Sequence, residues 1–175
     1  MMQGEVGMKP ALLVIDIQKR FFGFGPAISE SLQNAIAYIN PTIALFREHD
    51  LPVICVQHVD EDEDLVPDEE GFALPEELDI LPSDLHIHKT YGNAFNNTPL
   101  ADKLQVLKID TVVVTGFCAE ECVLSTYRGA EDIDLTPIIL RGSLASGSKE
   151  NIRFVENISS IISFGALQKV LEGSL

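Results

Sequence analysis

Three side chains that can do chemistry together follow separate apolar runs of the sequence. They are a carboxylate, an amine and a thiol: Asp16, Lys89 and Cys122. A thiol in the first turn of a helix and beside an ammonium group ionises more readily, and a nearby carboxylate can take and return its proton. The set predicts a nucleophilic cysteine hydrolase without histidine. The alternative is a small buried cysteine, an aspartate that caps a strand and a surface lysine.

Two of the three cysteines, Cys118 and Cys122, stand four residues apart. This is not the C-x-x-C spacing of a thioredoxin-type pair. A zinc site would need further cysteine or histidine ligands, and no histidine stands at ligand spacing from the pair. A thiol redox sensor that uses both cysteines remains an alternative. Cys55 falls within a predicted strand and is expected to be buried and inert.

Strands alternating with helices are predicted to position these side chains. Apolar runs that end at polar residues or glycine predict the strands Ala11–Ile15, Val53–Val56, Leu85–His88, Thr111–Thr115 and Thr136–Leu140. Helical patterns cover Ile28–Glu48 (with a break or kink at Pro41), Pro99–Leu107, Glu121–Glu131 and Asn151–Ile162, and Ala166–Leu171 is a further helix or a sixth strand. This alternation predicts a parallel sheet covered on both faces, with ligands beyond the carboxyl ends of its strands.

Composition bounds the classes of function. The chain has 175 residues, enough for one domain (residues 1–175), and a net charge of −15 that disfavours nucleic acids and anionic membranes as partners. No apolar run is long enough to span a bilayer, and the amino terminus lacks the basic region of a signal peptide. Three cysteines without framework spacing suit a reducing compartment, so a cytoplasmic location is expected.

One segment is unusually acidic: DEDEDLVPDEE, residues 60–70, holds eight acids in eleven positions. Such a run is too charged to pack in a core, so an exposed loop is expected. A lid that screens substrates is the alternative.

Other uses of an aspartate at a strand end do not fit the sequence. Haloacid-type phosphatases need a second acid two residues later, where Gln18 stands here. Receiver domains place their aspartate on a middle strand beside an acidic pair, and this chain has neither feature. Neither G-x-x-x-x-G-K-[ST] nor G-x-G-x-x-G occurs, so no nucleotide-binding loop is indicated.

Three blocks resemble the isochorismatase-like cysteine hydrolases, the nicotinamidase and isochorismatase superfamily. LLVIDIQKRFF is similar to the opening strand of that family, HKTYGNAF to the block with its lysine, and VVVTGFCAEECVLSTYRGAED to the block with its nucleophile. The blocks occur in the order of the family and, with the pattern between them, cover nearly the whole chain. The resemblance implies that Asp16, Lys89 and Cys122 form a catalytic triad.

The resemblance also implies a fold and a mechanism. The fold is doubly wound α/β: a mostly parallel central sheet with helices on both faces, a Rossmann-type three-layer sandwich. The family usually forms homo-oligomers, dimers or larger. Its mechanism implies that Cys122 attacks a carbonyl and forms a thioester, while Asp16 moves the proton and Lys89 stabilises the thiolate. A cis peptide is implied between Phe117 and Cys118, which turns the backbone N–H groups of Cys118 and Cys122 towards one oxyanion.

The expected substrate is a small carbonyl compound, cleaved at a C–N bond or less often an ester, with no cofactor. Candidate pocket residues flank the triad in sequence: Gln18, Phe21, His58, Tyr91, Phe95 and Phe117. For the aromatic residues among them, ordinary core packing is the alternative.

Departures from the family pattern narrow the activity. Nicotinamidases hold a metal with an Asp-x-His pair, whereas here His58 precedes Asp60, so we expect no metal and treat nicotinamidase activity as an alternative. Isochorismatase proper lacks the cysteine. Ala119 replaces the usual threonine after the cis bond. A non-catalytic oligomeric scaffold of the same fold is the remaining alternative.

Overall fold

A six-stranded parallel sheet forms the centre of the computed structural model, which describes residues 7–173. Its strands, in chain order, are β1 (Pro10–Ile15), β2 (Val53–His58), β3 (Leu85–Lys89), β4 (Thr111–Phe117), β5 (Thr136–Ala145) and β6 (Ile161–Ile162). They are arranged as β3-β2-β1-β4-β5-β6, and every neighbouring pair is parallel. The predicted doubly wound α/β fold is confirmed.

Helices cover both faces of this sheet. They are α1 (Lys19–Phe22), α2 (Pro26–Glu48), α3 (Leu100–Val106), α4 (Leu124–Asp132), α5 (Lys149–Asn157) and α6 (Phe164–Leu171). A 3-10 turn occupies Glu61–Glu63, and a π-helical turn occupies Ala119–Val123 directly before α4. None of the helices in the described part of the chain is long and apolar enough to cross a membrane.

Side-chain alternation along the strands divides the core into two halves. Ala11, Leu13 and Ile15 of β1 pack with residues of α3, α4 and α5, whereas Leu12 and Val14 pack with residues of α2 and α6. Successive strand side chains point to opposite faces, so a strand buried on both faces is apolar throughout. This is why the apolar runs predicted the strands.

Two elements differ from the prediction. Pro41 lies inside α2 without ending it, so the predicted break is wrong, while a kink there stays a prediction; the buried face of the helix, from Leu32 to Phe46, packs against the sheet and offsets the missing hydrogen bond. The prediction of a helix over Asn151–Ile162 was wrong at its end: the helix stops at Asn157, and Ile161–Ile162 pairs with β5 as an edge strand. Ala166–Leu171 is helical, within α6.

The strand order reverses between β1 and β4. Chain connections from β1 lead outward through β2 and β3, and then β4 returns to the other side of β1. The carboxyl ends of two strands diverge at such a switch point and leave a crevice. Gly116 allows β4 to lie close to β1 there, since a Cβ atom at this position would overlap the carbonyl oxygen of Ile15.

Candidate active site

Asp16 directly follows β1 at the switch point and is buried, with 1% of its surface exposed. Its backbone has a φ of +53°, a conformation that aspartate and asparagine adopt more readily than most residues. Its backbone N–H donates to the carbonyl oxygen of Val56, 2.8 Å away, which ties the end of β1 to β2. The turn thereby places the Asp16 side chain at the edge of the sheet where the carboxyl-terminal ends of the strands lie.

Lys89, the last residue of β3, lies at the centre of the site, and its side chain is fully buried. Its Nζ lies 2.9 Å from Oδ2 of Asp16, 3.0 Å from Nδ1 of His58 and 3.3 Å from Sγ of Cys122. An ammonium group has three N–H donors, and each faces one of these atoms. Asp16, Lys89 and Cys122, distant in sequence, are therefore brought together.

The side-chain amide of Gln18 holds the backbone of His58, the last residue of β2, through two hydrogen bonds. Its backbone N–H donates to Oε1 of Gln18, and its carbonyl oxygen accepts a hydrogen bond from Nε2 of the same glutamine. Burial and the charge of Lys89 lower the pKa of the imidazole, and Nδ1 faces the ammonium as an acceptor. His58 is therefore neutral, and its Nδ1 accepts one of the three hydrogen bonds that the Lys89 ammonium donates.

Cys122 lies in the π-helical turn Ala119–Val123, not in the first turn of an α-helix as the sequence suggested. The expectation of a lowered thiol pKa is also wrong for the resting site. Burial and the charge of Asp16 raise the pKa of Cys122 to about 12, against the opposing effect of Lys89. The thiol is protonated in the resting site.

Asp16 is the group placed to accept that proton. Burial raises the pKa of its carboxyl, while Lys89 and the Cys122 thiol oppose the shift. A carboxylate oxygen of Asp16, a ring nitrogen of His58 and the sulfur of Cys122 all lie within 4.8 Å of one another. Oδ2 of Asp16 is bound to Lys89, whereas the buried Oδ1 has no hydrogen-bond partner. Oδ1 is thus the available acceptor beside the thiol.

The same three residues do not fit a metal ion. Within residues 7–173 they form the one group of three acidic, histidine or cysteine side chains close enough to share an ion. However, the Lys89 ammonium already contacts an atom of each of the three. A divalent ion among them would face a positive charge at contact distance.

The peptide between Phe117 and Cys118 is cis in the structure. It joins the end of β4 to the π-helical turn, and the carbonyl oxygen of Cys118 accepts hydrogen bonds from the backbone N–H groups of Glu121 and Val123. Burial and the carboxylate of Glu120 raise the pKa of the Cys118 thiol to about 12. The proposed role of Cys118 in an oxyanion hole concerns its backbone and stays a prediction.

A cavity of about 370 Å³ opens over the thiol and the carboxylate. Cys118, Cys122, His58, Leu65 and three aromatic side chains line it: Phe21, Phe24 and Phe117. The ring centroids of Phe21 and Phe117 are 4.8 Å apart, and those of Phe21 and Phe24 are 5.5 Å apart. Four acids complete the lining: Asp16, Asp60, Glu63 and Glu121.

Three of the predicted pocket residues lie elsewhere. Gln18 is fully buried because its amide bridges the backbone of His58 and the carbonyl oxygen of Phe72, so it supports the site from behind. Tyr91 is half exposed and outside the cavity lining. Phe95 packs against the core on the α3–α4 face of the sheet. None of the three lines the cavity beside Cys122, so their assignment to a substrate pocket stays a prediction.

Sequence reasoning missed Glu120, which anchors the π-helical turn. Its Oε1 accepts hydrogen bonds from Oγ of Ser146, 2.9 Å away, and Nδ2 of Asn151, 2.6 Å away. Burial acts to raise the pKa of Glu120, but hydrogen bonds, including that from Cys118, hold it below its usual value. An acid in the first turn of a helix is common, so the sequence offered no signal for this role.

The acidic segment, residues 60–70, borders the cavity instead of extending freely into solvent. Leu65 is buried in the core, and Asp60 and Leu65 pair in an isolated antiparallel bridge. Arg20 holds the segment from α1: its Nε donates to the carbonyl oxygen of Glu63, 2.9 Å away, and the guanidinium pairs with the Glu63 carboxylate at 3.2 Å. The expectation of a wholly exposed loop is wrong for Leu65.

Comparison with known proteins adds to this geometry. A sequence model of the Isochorismatase domain matches residues 10–156. The chain is 30% identical over 142 residues to YrdC, an uncharacterized isochorismatase family protein of Bacillus subtilis (strain 168). The aligned region covers 79% of this chain and 74% of YrdC.

Solved structures show the same fold. An isochorismatase-like hydrolase from Alkaliphilus metalliredigens superposes with a TM-score of 0.83 at 24% identity, over 92% of this chain and 98% of that one. N-carbamoylsarcosine amidase from Thermoplasma acidophilum superposes with a TM-score of 0.76 at 23% identity, over 89% and 96% of the two chains.

Proposed function

The chain belongs to the isochorismatase family of hydrolases, and we propose that it cleaves a C–N bond of a small carbonyl compound through a thioester on Cys122. One observation carries this proposal: the Lys89 ammonium lies between the Asp16 carboxylate and the Cys122 sulfur, at 2.9 and 3.3 Å. The base and the nucleophile line one cavity, and the cation that stabilises the thiolate contacts both of them.

Acylation begins with the proton of the thiol. When a carbonyl compound enters and displaces water, Asp16 Oδ1 takes the proton from Cys122, and Lys89 stabilises the thiolate. The sulfur then attacks the carbonyl carbon, and the carbonyl π electrons move to the oxygen as an oxyanion. Backbone N–H groups of Cys118 and Cys122 are the proposed donors to that oxyanion.

Collapse of the tetrahedral intermediate breaks the C–N bond. Asp16 donates its proton to the departing nitrogen, which leaves as an amine or ammonia, and the acyl group stays on Cys122 as a thioester. Water then attacks the thioester while Asp16 takes one of its protons. The acid is released, and the proton returns from Asp16 to the sulfur.

The preference for a C–N bond follows from the base. An amine is a poor leaving group unless it is protonated as it departs, and a carboxyl whose pKa is raised by burial holds the proton for that step closer to neutral pH. Esters have better leaving groups that need less protonation, and ester hydrolysis is the alternative activity at the same site. N-carbamoylsarcosine amidase bears on this proposal through its fold alone, so the proposal rests on the geometry of this chain.

The redox-sensor alternative receives less support from the site. The Lys89 ammonium and the Asp16 carboxylate surround the sulfur of Cys122 and not that of Cys118, so the structure gives the two thiols different surroundings instead of a shared one.

A hydrolysis panel tests the proposal directly. Amides, ureides, carbamates, nicotinamide and esters of small acids are assayed for release of ammonia or acid. With the best substrate, Cys122→Ala should lower kcat by at least about a thousandfold, because nucleophile and acyl carrier are both lost. Cys118→Ala should keep at least about a tenth of the wild-type rate, since its backbone remains.

The two variants also mark the outcomes that contradict the proposal. Wild-type turnover in a folded Cys122→Ala protein would exclude the thioester. Equal losses in both variants would show that the Cys118 thiol takes part in the chemistry. Circular dichroism of each variant checks that the fold is intact.

A further inference from the structure

The charges and aromatic rings around the cavity specify a class of substrate. Building on the proposed function, we infer that the substrate carries a positive charge, as an ammonium, quaternary ammonium or guanidinium group, at the end remote from the cleaved carbonyl. A compound with a carboxylate at that end is excluded.

The outer wall of the cavity carries three carboxylates: Asp60, Glu63 and Glu121. Glu121 is exposed, next to the nucleophile in sequence, and Asp60 is half buried and caps the 3-10 turn by accepting from the N–H of Asp62. Glu63 pairs with Arg20, so Asp60 and Glu121 supply the unneutralised charge. Deeper in the cavity, the Asp16 carboxylate is paired with the Lys89 ammonium and adds no unneutralised charge.

The aromatic rings give a second, independent reason for a cation. Phe21 packs edge to face with Phe24 and at a tilt against Phe117, and all three rings line the cavity. The face of an aromatic ring attracts a cation within about 6 Å of its centroid. One ring already does so here, because the guanidinium of Arg20 lies 5.2 Å from the centroid of Phe24.

No cationic side chain is available to a substrate carboxylate among the cavity residues that the structure describes. His58 is neutral in the resting site, because its Nδ1 accepts from Lys89. Lys89 itself is buried below the cavity, with its three donors engaged. Arg20, at the edge, is bound to both the backbone and the carboxylate of Glu63. An anionic group would meet like charge without a counterion.

Matched methanethiosulfonate reagents test this inference without requiring catalysis. The cationic trimethylammonium-ethyl and the anionic sulfonato-ethyl reagent are each reacted with the Cys118→Ala protein. The Cys122 sulfur attacks the sulfenyl sulfur of the reagent, a mixed disulfide forms, and methanesulfinate leaves. Each rate is divided by the rate with a free small thiol. A change in the pKa of Cys122 alters the rates with both reagents by the same factor, so it drops out of the ratio of the cationic rate to the anionic rate.

We expect this ratio to be at least about tenfold at low salt and to fall as salt is added, because exposed charges are screened. Glu121→Lys should lower it severalfold. Asp132→Lys is the matched control: it makes the same change in net charge at the end of α4, outside the cavity, and should leave the ratio nearly unchanged.

Three results overturn the inference: a ratio near one, a preference for the anion, or an equal fall in both lysine variants, which would reflect net charge alone. The hydrolysis panel separates this inference from the proposed function. A cation preference at Cys122 with no amide hydrolysed would contradict the function and leave the inference standing. Hydrolysis of anionic and cationic amides at equal rates would contradict the inference alone.

Discussion

At the scale of the residue, Lys89 organises the site. Its buried ammonium contacts Asp16, His58 and Cys122, and an unpaired charge at that depth would be strongly unfavourable. Asp16 and Lys89 act on the thiol with opposite sign: the carboxylate raises the pKa of Cys122 and the ammonium lowers it. We propose that catalysis needs both residues. Removal of the Asp16 carboxylate should favour ionisation of the thiol, whereas removal of the Lys89 ammonium should disfavour it.

Thiol alkylation measures this opposition. Asp16→Asn removes the negative charge beside the sulfur and should speed alkylation of Cys122 by iodoacetamide about three- to tenfold, while abolishing turnover. Asparagine tolerates the positive φ at this position, so the turn should persist. Lys89→Met should slow alkylation by a similar factor.

Rates are read by mass spectrometry of the peptide that contains Cys122, as a function of pH. If Asp16→Asn slows alkylation, the carboxylate supports the thiolate and the described electrostatics are wrong. Should Lys89→Met fail to fold, as its circular dichroism would show, the asparagine variant decides alone.

At the scale of the element, the close approach of β4 to β1 sets the position of the cysteine turn. Gly116 has a φ of +117°, and its Cα faces the backbone of Ile15. The cis peptide and the π-helical turn follow directly. A displacement of the end of β4 would therefore move Cys118 and Cys122 relative to Asp16.

Gly116→Ala should destabilise the protein by at least about 2 kcal/mol, since the added Cβ meets backbone that cannot move aside and the φ suits only glycine. The free energy of unfolding in urea measures this. Gly165→Ala is the matched control: nothing lies within 4 Å of its added Cβ in α6, so it should be neutral or stabilising by up to about 1 kcal/mol. Equal effects of the two variants would contradict the close approach.

The sequence predicted the elements that have strong periodic signals. Buried strands such as Thr111–Phe117 read as apolar runs, and the parallel order placed Asp16, Lys89 and Cys122 at one edge. The strand Ile161–Ile162 was missed because two residues are too short to give a periodic signal. The roles of Gln18 and Glu120 were also beyond reach, since the direction of a polar side chain after a strand depends on tertiary contacts.

At the scale of the whole molecule, buried thiols couple stability to pH. The pKa of Cys55, Cys118 and Cys122 is raised from 9.0 to about 12, with burial as the largest cause. The folded state therefore keeps protons that the unfolded chain releases. The resulting stability is fully present below pH 9 and is lost as pH rises towards about 12.

The free energy of unfolding should fall through this window by up to about 1.4 kcal/mol per pH unit for each of the more deeply buried thiols Cys55 and Cys122, and by less for the partly exposed Cys118. Cys122→Ala should show a shallower slope than wild type, because one of the three groups is gone. Denaturant titrations at several alkaline pH values give both slopes. Identical slopes would show that the thiol ionises equally in the folded and unfolded states.

Assembly and location stay predictions at this scale. The resemblance implies a homo-oligomer, which sedimentation equilibrium would detect as a mass above that of one 19.2 kDa chain. The net charge of −15 disfavours nucleic acids and anionic membranes as partners. A cytoplasmic location stays an expectation from cysteine usage.

The central claim is that an acyl group passes through the sulfur of Cys122. The most direct measurement is the intact mass of the protein after acid quenching during turnover of its best amide. We expect an added acyl mass that maps to Cys122, is released by hydroxylamine and is missing in Cys122→Ala. Steady turnover with an unmodified sulfur under conditions that trap thioesters, or an acyl group on Cys118, would contradict it.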